Sequence, residues 1–373
     1  MLNKFFNTSE ENKYYLTSQI ITYLGNKRKL LNFIEQPLIK VKKDLSKDKL
    51  KILDGFSGSG IVSRFLKKHA SVLHTNDLED YAKIINNCYL YNKSEIDENE
   101  IKSTIDYLNS MSYNVKNGII RRLYSPIDDK NIKKNDRCFY TNENAEIIDT
   151  IRCEIENISN KEFYLGPLLF KSSTNCNTSG VFKGFYKDKH TNIGKFGGTN
   201  ENSLSRITSK IILPYPVFSN FECEYHVHQE DTNKLVNKID EVDLVYFDPP
   251  YNQHPYSSNY FMLNIISNYC VNEDTLSKVS GIPSGWNKSL WNNKKEVKDN
   301  FDNLIKNTKS KYILLSYNNE GFLKEDDFKQ VLTQYGKLDI FKSDYTVFRG
   351  GNIKSNKRNL NPKVSELLFL LKK

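Results

Sequence analysis

Hydrophobic positions along the chain fall into two alternating patterns. Lys51-Ile52-Leu53-Asp54, Val72 to Thr75, Glu222 to His228, Asp243 to Phe247 and Lys311 to Tyr317 are short runs rich in aliphatic and aromatic residues. Turn-forming or polar residues follow most of them, and they predict strands. Between them, apolar residues recur at helical spacing at Leu30, Leu31, Phe33 and Ile34, at Ile61, Val62, Phe65 and Leu66, and from Tyr81 to Leu90. Further helices are expected from Thr232 to about Ile239 and from Asn259 to Cys270. Strand–helix–strand order predicts an α/β fold with a mostly parallel, doubly wound sheet. Tyr345 to Arg349 and Val364 to Leu371 predict a closing β-hairpin, joined by the basic loop Asn352 to Lys363. From about residue 95 to 217 the alternation is lost. That stretch predicts helices around Ala145 to Ile158 and Phe163 to Lys171, then a polar, glycine-bearing tract from Ser172 to Asn202. The expected division is therefore 1–95 and 218–373 as two halves of one domain, with 96–217 as an insert. No internal repeat is visible.

Composition narrows the class. At 373 residues the chain can bury a full core, and 23 Tyr and 21 Phe supply large apolar areas although hydrophobic residues are only 38%. Lys and Arg number 54 against 45 acids, a net +9 that suits either a polyanionic partner or a solvated basic surface. Six cysteines stand without a Cys-x-x-Cys pair or a Cys/His cluster of zinc spacing, so free thiols are expected and no metal site. The amino terminus does not read as a signal peptide, and no apolar run approaches the ~20 residues that span a bilayer. A cytoplasmic protein without a membrane partner is expected.

The chemistry concentrates at Asp248-Pro249-Pro250-Tyr251. Consecutive prolines cannot donate ladder hydrogen bonds, so the chain must leave the sheet at once and Asp248 falls at the carboxyl end of a strand. Ligands of open α/β sheets bind outside those ends. An amine on a heteroaromatic ring has its lone pair delocalised, and acceptors on the amine hydrogens localise it toward an electrophile. Asp248 and the Pro249 carbonyl are assigned as those acceptors, with Tyr251 stacking on the ring. Phe56-Ser57-Gly58-Ser59-Gly60 is a glycine turn between strand and helix that lets a ligand approach the backbone. Ser63 stands where a third glycine would complete the dinucleotide fingerprint, which disfavours NAD.

Asp77 and Asp231 each follow a strand end. Each is read either as a helix cap or as a wall of a nucleoside site, Asp77 at ribose hydroxyls and Asp231 at the adenine end. Lys27, at an expected helix start after Gly25-Asn26, either holds the carboxylate of a cofactor or lies on a solvated face. His254 is read as a structural or exposed histidine. In the insert Lys183, Lys187, Lys189, Lys195, Arg206 and Lys210 alternate with Phe182, Phe185, Tyr186 and Phe196. This is either a nucleic-acid surface or a flexible charged loop.

Together these motifs resemble the alpha-group, Dam-type DNA adenine methyltransferases. In that family an aromatic-x-Gly-x-Lys segment precedes a Phe-x-Gly-x-Gly turn, and a target-recognition insert precedes Asp-Pro-Pro-Tyr. The matching residues here are Tyr23 to Lys27, Phe56 to Gly60, and Asp248 to Tyr251, so the motifs cover only the two ends of the chain. The resemblance implies the S-adenosylmethionine-dependent methyltransferase fold and cofactor contacts at Tyr23, Lys27, Asp54, Phe56, Gly58, Gly60, Asp77, Asp231 and Asp248. It implies catalysis by Asp248, Pro249, Pro250 and Tyr251, with methyl transfer to the N6 amine of an adenine flipped out of double-stranded DNA. A cognate restriction endonuclease is the partner it brings to mind. Rival readings are an exocyclic-amine methyltransferase acting on cytosine or RNA, a protein-amide methyltransferase, and a non-catalytic DNA-binding module of the same fold.

Overall fold

The computed structural model describes residues 10–115, 117–318, 321–346 and 363–373. Seven strands form one sheet in the order β3-β2-β1-β4-β5-β7-β6. They are β1 (Leu50–Asp54), β2 (Ala70–Asn76), β3 (Glu224–His228), β4 (Val242–Phe247), β5 (Ser310–Asn318), β6 (Lys337–Thr346) and β7 (Lys363–Lys372). The pairs β2–β3, β1–β2, β1–β4 and β4–β5 are parallel, whereas β7 runs antiparallel to both β5 and β6. The strand order reverses between β1 and β4, which opens a crevice outside their carboxyl ends, the usual ligand position in such sheets.

β4 explains why the sheet is covered on both faces. All six of its residues are buried, and its pleat sends them alternately to opposite sides. Leu244 and Tyr246 join Ile34, Leu38 and Val41 of helix Leu31–Leu45 and Phe65 of helix Ile61–Lys67. Val245 and Phe247 join Phe301 and Leu304 of helix Val297–Asn307 and Phe328 of helix Glu325–Leu332. At the other end of the strand Asp243, 4% exposed, accepts from Lys47 Nζ at 2.8 and 2.9 Å and from the Lys51 amide at 3.0 Å, tying β4 to β1.

A third apolar cluster joins the middle of the chain to the sheet domain. Ile105, Ile148, Ile151, Leu168 and Phe182 pack with Tyr81, Ile85 and Tyr89 of helix Asp80–Leu90 and with Phe261 to Ile266. Residues 96–217 therefore share a core with the flanking halves.

Several element bounds differ from the sequence reading. The helix expected at 145–158 is Asn142–Ile155, because Thr141 caps it by accepting from the Asn144 amide. The helix expected to reach Ile239 is only Thr232–Leu235. The stretch 259–270 is a short helix, Tyr256–Asn259, followed by Phe261–Asn268. β6 begins at Lys337 rather than Tyr345, and its mixed sequence at the sheet edge hid it. Residues 347–349 of the expected hairpin and 352–362 of its basic loop lie outside the described residues. Helices Glu98–Ser110, Val297–Asn307 and Glu325–Leu332 were not anticipated, although Val297, Phe301, Leu304 and Ile305 have helical spacing. All six cysteines are free thiols, and among the described residues no helix is long and apolar enough to cross a membrane.

Candidate active site

A cavity of about 870 Å³, partly open to solvent, lies at the carboxyl ends of β1 and β4. Its walls include Tyr23, Lys27, Phe56, Gly58, Asp77, Glu79, Asp231, Asp248 and Pro250. The glycine turn forms one side. Gly58 and Gly60 have φ of +52° and +73°, left-handed values that favour glycine. A Cβ on Gly58 would also come within 2.7 Å of the Tyr23 ring. Tyr23 packs against both Tyr256 and Tyr260, with ring centroids 5.0 and 4.8 Å away and planes within about 21°. Asp77, just beyond β2, accepts from the Gly58 amide at 2.8 Å and the Glu79 amide at 3.0 Å, so it fixes the turn as well as facing the cavity. Asp231 likewise both caps helix Thr232–Leu235 and lines the cavity.

The floor of the site is a buried charge cluster. Lys27, 3% exposed, sits at the start of a 3-10 turn capped by Asn26. Its Nζ lies 3.1 Å from Asp248 Oδ1, 3.1 Å from Glu366 Oε1 and 2.7 Å from Tyr251 Oη. The Tyr251 contact is a hydrogen bond, and the two carboxylate contacts are ion pairs. Its burial rules out the solvated face weighed for Lys27, and its charge is paired within the protein. Burial works against the ammonium, but Asp248 and then Glu366 outweigh it and hold its pKa well above the usual lysine value. Burial raises the Asp248 carboxyl to about 6 against the lowering effect of Lys27; Glu366 adds to the rise and the Tyr251 hydroxyl opposes it. Tyr251 donates to Asp248 Oδ1, and its ring packs on Tyr317 with centroids 4.4 Å apart.

Some expected residues stand elsewhere. Asp54 is fully buried beneath the turn, accepts from Ser63 Oγ at 2.6 Å and is absent from the cavity wall; burial raises its pKa to about 7. Gly60 turns toward Asn86. Pro249 and Tyr251 lie behind the wall, with the Tyr251 hydroxyl engaged by Asp248 and Lys27.

The sequence reading missed three residues here. Glu366 on β7 is 1% exposed and accepts from Ser316 Oγ at 2.7 Å; a lone acid in the apolar stretch Val364 to Phe369 was the available signal. Glu79 is 4% exposed, accepts from Asn264 Nδ2 at 2.6 Å, and is raised by burial to about 8. Trp291 is a cavity wall 1% exposed, set edge-on to Phe56 at 5.4 Å.

The basic-aromatic tract divides. Phe182 is buried, and Arg206 donates to the carbonyls of Thr174 and Cys176, so both serve the fold. Lys187 to Gly194 form a tight hairpin: Asp188 and Ile193 are bonded through their backbones at 2.8 Å, and the Asp188 carboxylate accepts the amides of His190 and Thr191. Lys189 is exposed on that turn. Lys187 lies over Phe185, Lys195 pairs with Glu201 at 3.0 Å, and Lys183 meets His254 at 3.1 Å.

The description D12 class N6 adenine-specific DNA methyltransferase belongs to the family profile that matches residues 23–331. The chain is 28% identical over 363 residues to the type II methyltransferase M.NlaIII of Neisseria lactamica, covering 95% of this chain and 99% of that one. It is 29% identical over 370 residues to the modification methylase StsI of Streptococcus sanguinis and 30% over 367 residues to the type II methyltransferase M.FokI of Planomicrobium okeanokoites. Those alignments cover 94% of this chain but 52% of each relative, so it spans about half their length.

Proposed function

The chain belongs to the D12 class N6 adenine-specific DNA methyltransferases, and on that premise we propose that it binds S-adenosylmethionine in the cavity beside β1 and β4 and methylates an adenine of double-stranded DNA there. The cavity walls offer backbone close to the ligand at Gly58, carboxylates at Asp77 and Asp231 for hydroxyl and amine donors, and apolar faces at Phe56 and Trp291. Bound there, S-adenosylmethionine would supply an electrophilic methyl group. Because the Lys27 charge is paired with Asp248 and Glu366, the cofactor's carboxylate would be held chiefly by other groups of this wall.

One observation carries the reading: Asp248 stands on the cavity wall at the end of β4, with a carboxyl raised to about 6 and oriented by Lys27 and Tyr251. Ionised at neutral pH, it can accept from the substrate amine beside the Pro249 carbonyl. Tyr251 reaches the base after its hydroxyl leaves Asp248, so base capture and release of Asp248 are one event. The insert, 96–217, serves as the target-recognition part, with Lys189 exposed on its Lys187–Gly194 hairpin. A cytoplasmic restriction-modification role, with a cognate endonuclease, is the setting that fits relatives named as type II and modification methylases.

The test is product analysis by mass spectrometry of nucleosides, after incubating the protein with S-adenosylmethionine and unmodified duplex DNA. N6-methyladenine is expected. Methylated cytosine would contradict the base assignment, and transfer to RNA alone would contradict the substrate.

A further inference from the structure

The Lys27 ammonium is a difficulty for the reaction as well as a support. Methyl transfer to a neutral amine builds positive charge on the amine nitrogen, and Asp248 is the anion beside it. Yet Asp248 is paired with Lys27 at 3.1 Å, and a one-to-one pair has no net charge to offer a developing cation. The second buried carboxylate changes that balance. Glu366 Oε1 lies 3.1 Å from the same Nζ, so the cluster of two carboxylates and one ammonium carries a net negative charge when both acids are ionised. Glu366 is fixed from both sides: Ser316 Oγ donates to Oε1 at 2.7 Å, and its position on β7 is set by register with Asn318. Its Oε2 has no hydrogen-bond partner among the described residues. An acid buried in a strand core with one oxygen unsatisfied is costly to the fold, which points to a role outside stability.

We propose that Glu366 is a positioning residue of the methyl transfer: it takes up the charge of Lys27, so that Asp248 stays basic enough to accept from the substrate amine as positive charge develops there. The inference rests on the function proposed above. In the transfer the amine nitrogen forms the new N–C bond as the S–C bond breaks, with the sulfur keeping that electron pair. The nitrogen then gives one proton to the Asp248 carboxylate, which leaves a neutral acid beside Lys27 and Glu366. Other titratable groups face the cluster: Asp54 from β1, Tyr246 from β4, Tyr256 from the helix after the motif, and Tyr317 from β5. Burial holds the three phenols neutral, so Glu366 and Asp54 are the acids among these four elements and β7 that act on Asp248.

The test compares Glu366→Gln and Glu366→Asp. Glu366→Gln keeps the shape and loses the charge. Its single-turnover rate should fall about tenfold, less than the about hundredfold of a group at the reacting atom, and the acid limb of its pH–rate profile should move to lower pH. Glu366→Asp should return the limb toward wild type. In the free protein, carboxyl 13C NMR, with Asp248 assigned through Asp248→Asn, should show the Asp248 midpoint fall in Glu366→Gln. An unchanged limb and midpoint would overturn the proposal. So would Glu366 found protonated in the wild type across the range where Asp248 titrates, a result that needs no variant to fold. Failure of the functional reading is distinguishable, since the wild type would then make no N6-methyladenine while the NMR midpoints could still respond.

Discussion

Lys27 and Lys189 carry the same charge in opposite settings. Lys27 is 3% exposed and is met by Asp248, Glu366 and Tyr251, groups brought together from two distant parts of the chain. Lys189 stands exposed on a hairpin whose turn is tied by the neighbouring Asp188 carboxylate. At the sheet, charge is arranged before any ligand arrives, and the chain has already met its desolvation cost. At Lys189 charge remains in water, where it would act by releasing the condensed counterions of a bound polyanion. The same contrast recurs within the insert, where Arg206 is committed to two backbone carbonyls and Lys189 is not.

The contrast breaks most visibly at Lys27. Lys27→Met leaves two buried carboxylates facing each other, and stability measured by urea unfolding at neutral pH should fall by about 3–5 kcal/mol. An unaffected midpoint would mean the cluster is already neutralised by protons. Next in size is Phe182→Ala, which removes a ring packed against Phe139, Phe261 and Tyr260 where the insert meets the sheet domain. A loss of about 3 kcal/mol is expected. If the insert melted separately while the sheet domain kept its transition, the shared core would not be one cooperative unit.

Glu79 sharpens the comparison through pH. Its folded pKa of about 8 lies above the ordinary carboxylate value. The stability linked to its proton is full below the unfolded pKa and is lost as pH rises through about 8. Glu79→Gln has no such proton. Melting temperatures of wild type and variant should therefore diverge between pH 5 and pH 8.5, with the wild type falling relative to the variant; parallel curves would contradict the buried-acid assignment. The smallest expected effect is in the insert. Lys189→Ala should reduce the slope of log binding constant against log salt by about 0.9. Arg206→Ala should leave that slope alone and cost about 1 kcal/mol of stability. The reverse pattern would exchange their roles.

The parts legible in the sequence were those carried by neighbours along the chain. Two prolines placed Asp248 at a strand end, glycines marked the turn at Gly58, and a strand followed by an acid marked Asp77. The sheet order follows from the same alternation, except at β6, where an edge strand lacks a clean pattern. Glu366 and Glu79 were not legible, because their roles come from Lys27 and from Asn264 across the fold. Lys27 itself was singled out, but no local pattern announces that its partners are two carboxylates. The packing of Phe182 and the carbonyl contacts of Arg206 were not legible for a related reason: basic-aromatic composition does not say which members are engaged within the fold.

The account's central claim is that Asp248 acts on the reacting amine while the surrounding cluster holds it in place. Single-turnover methyl transfer by Asp248→Ala, with duplex-DNA affinity measured on the same protein, tests it most directly. The account predicts a rate lower by about a hundredfold or more, with DNA affinity largely retained. Wild-type rate in Asp248→Ala would contradict it.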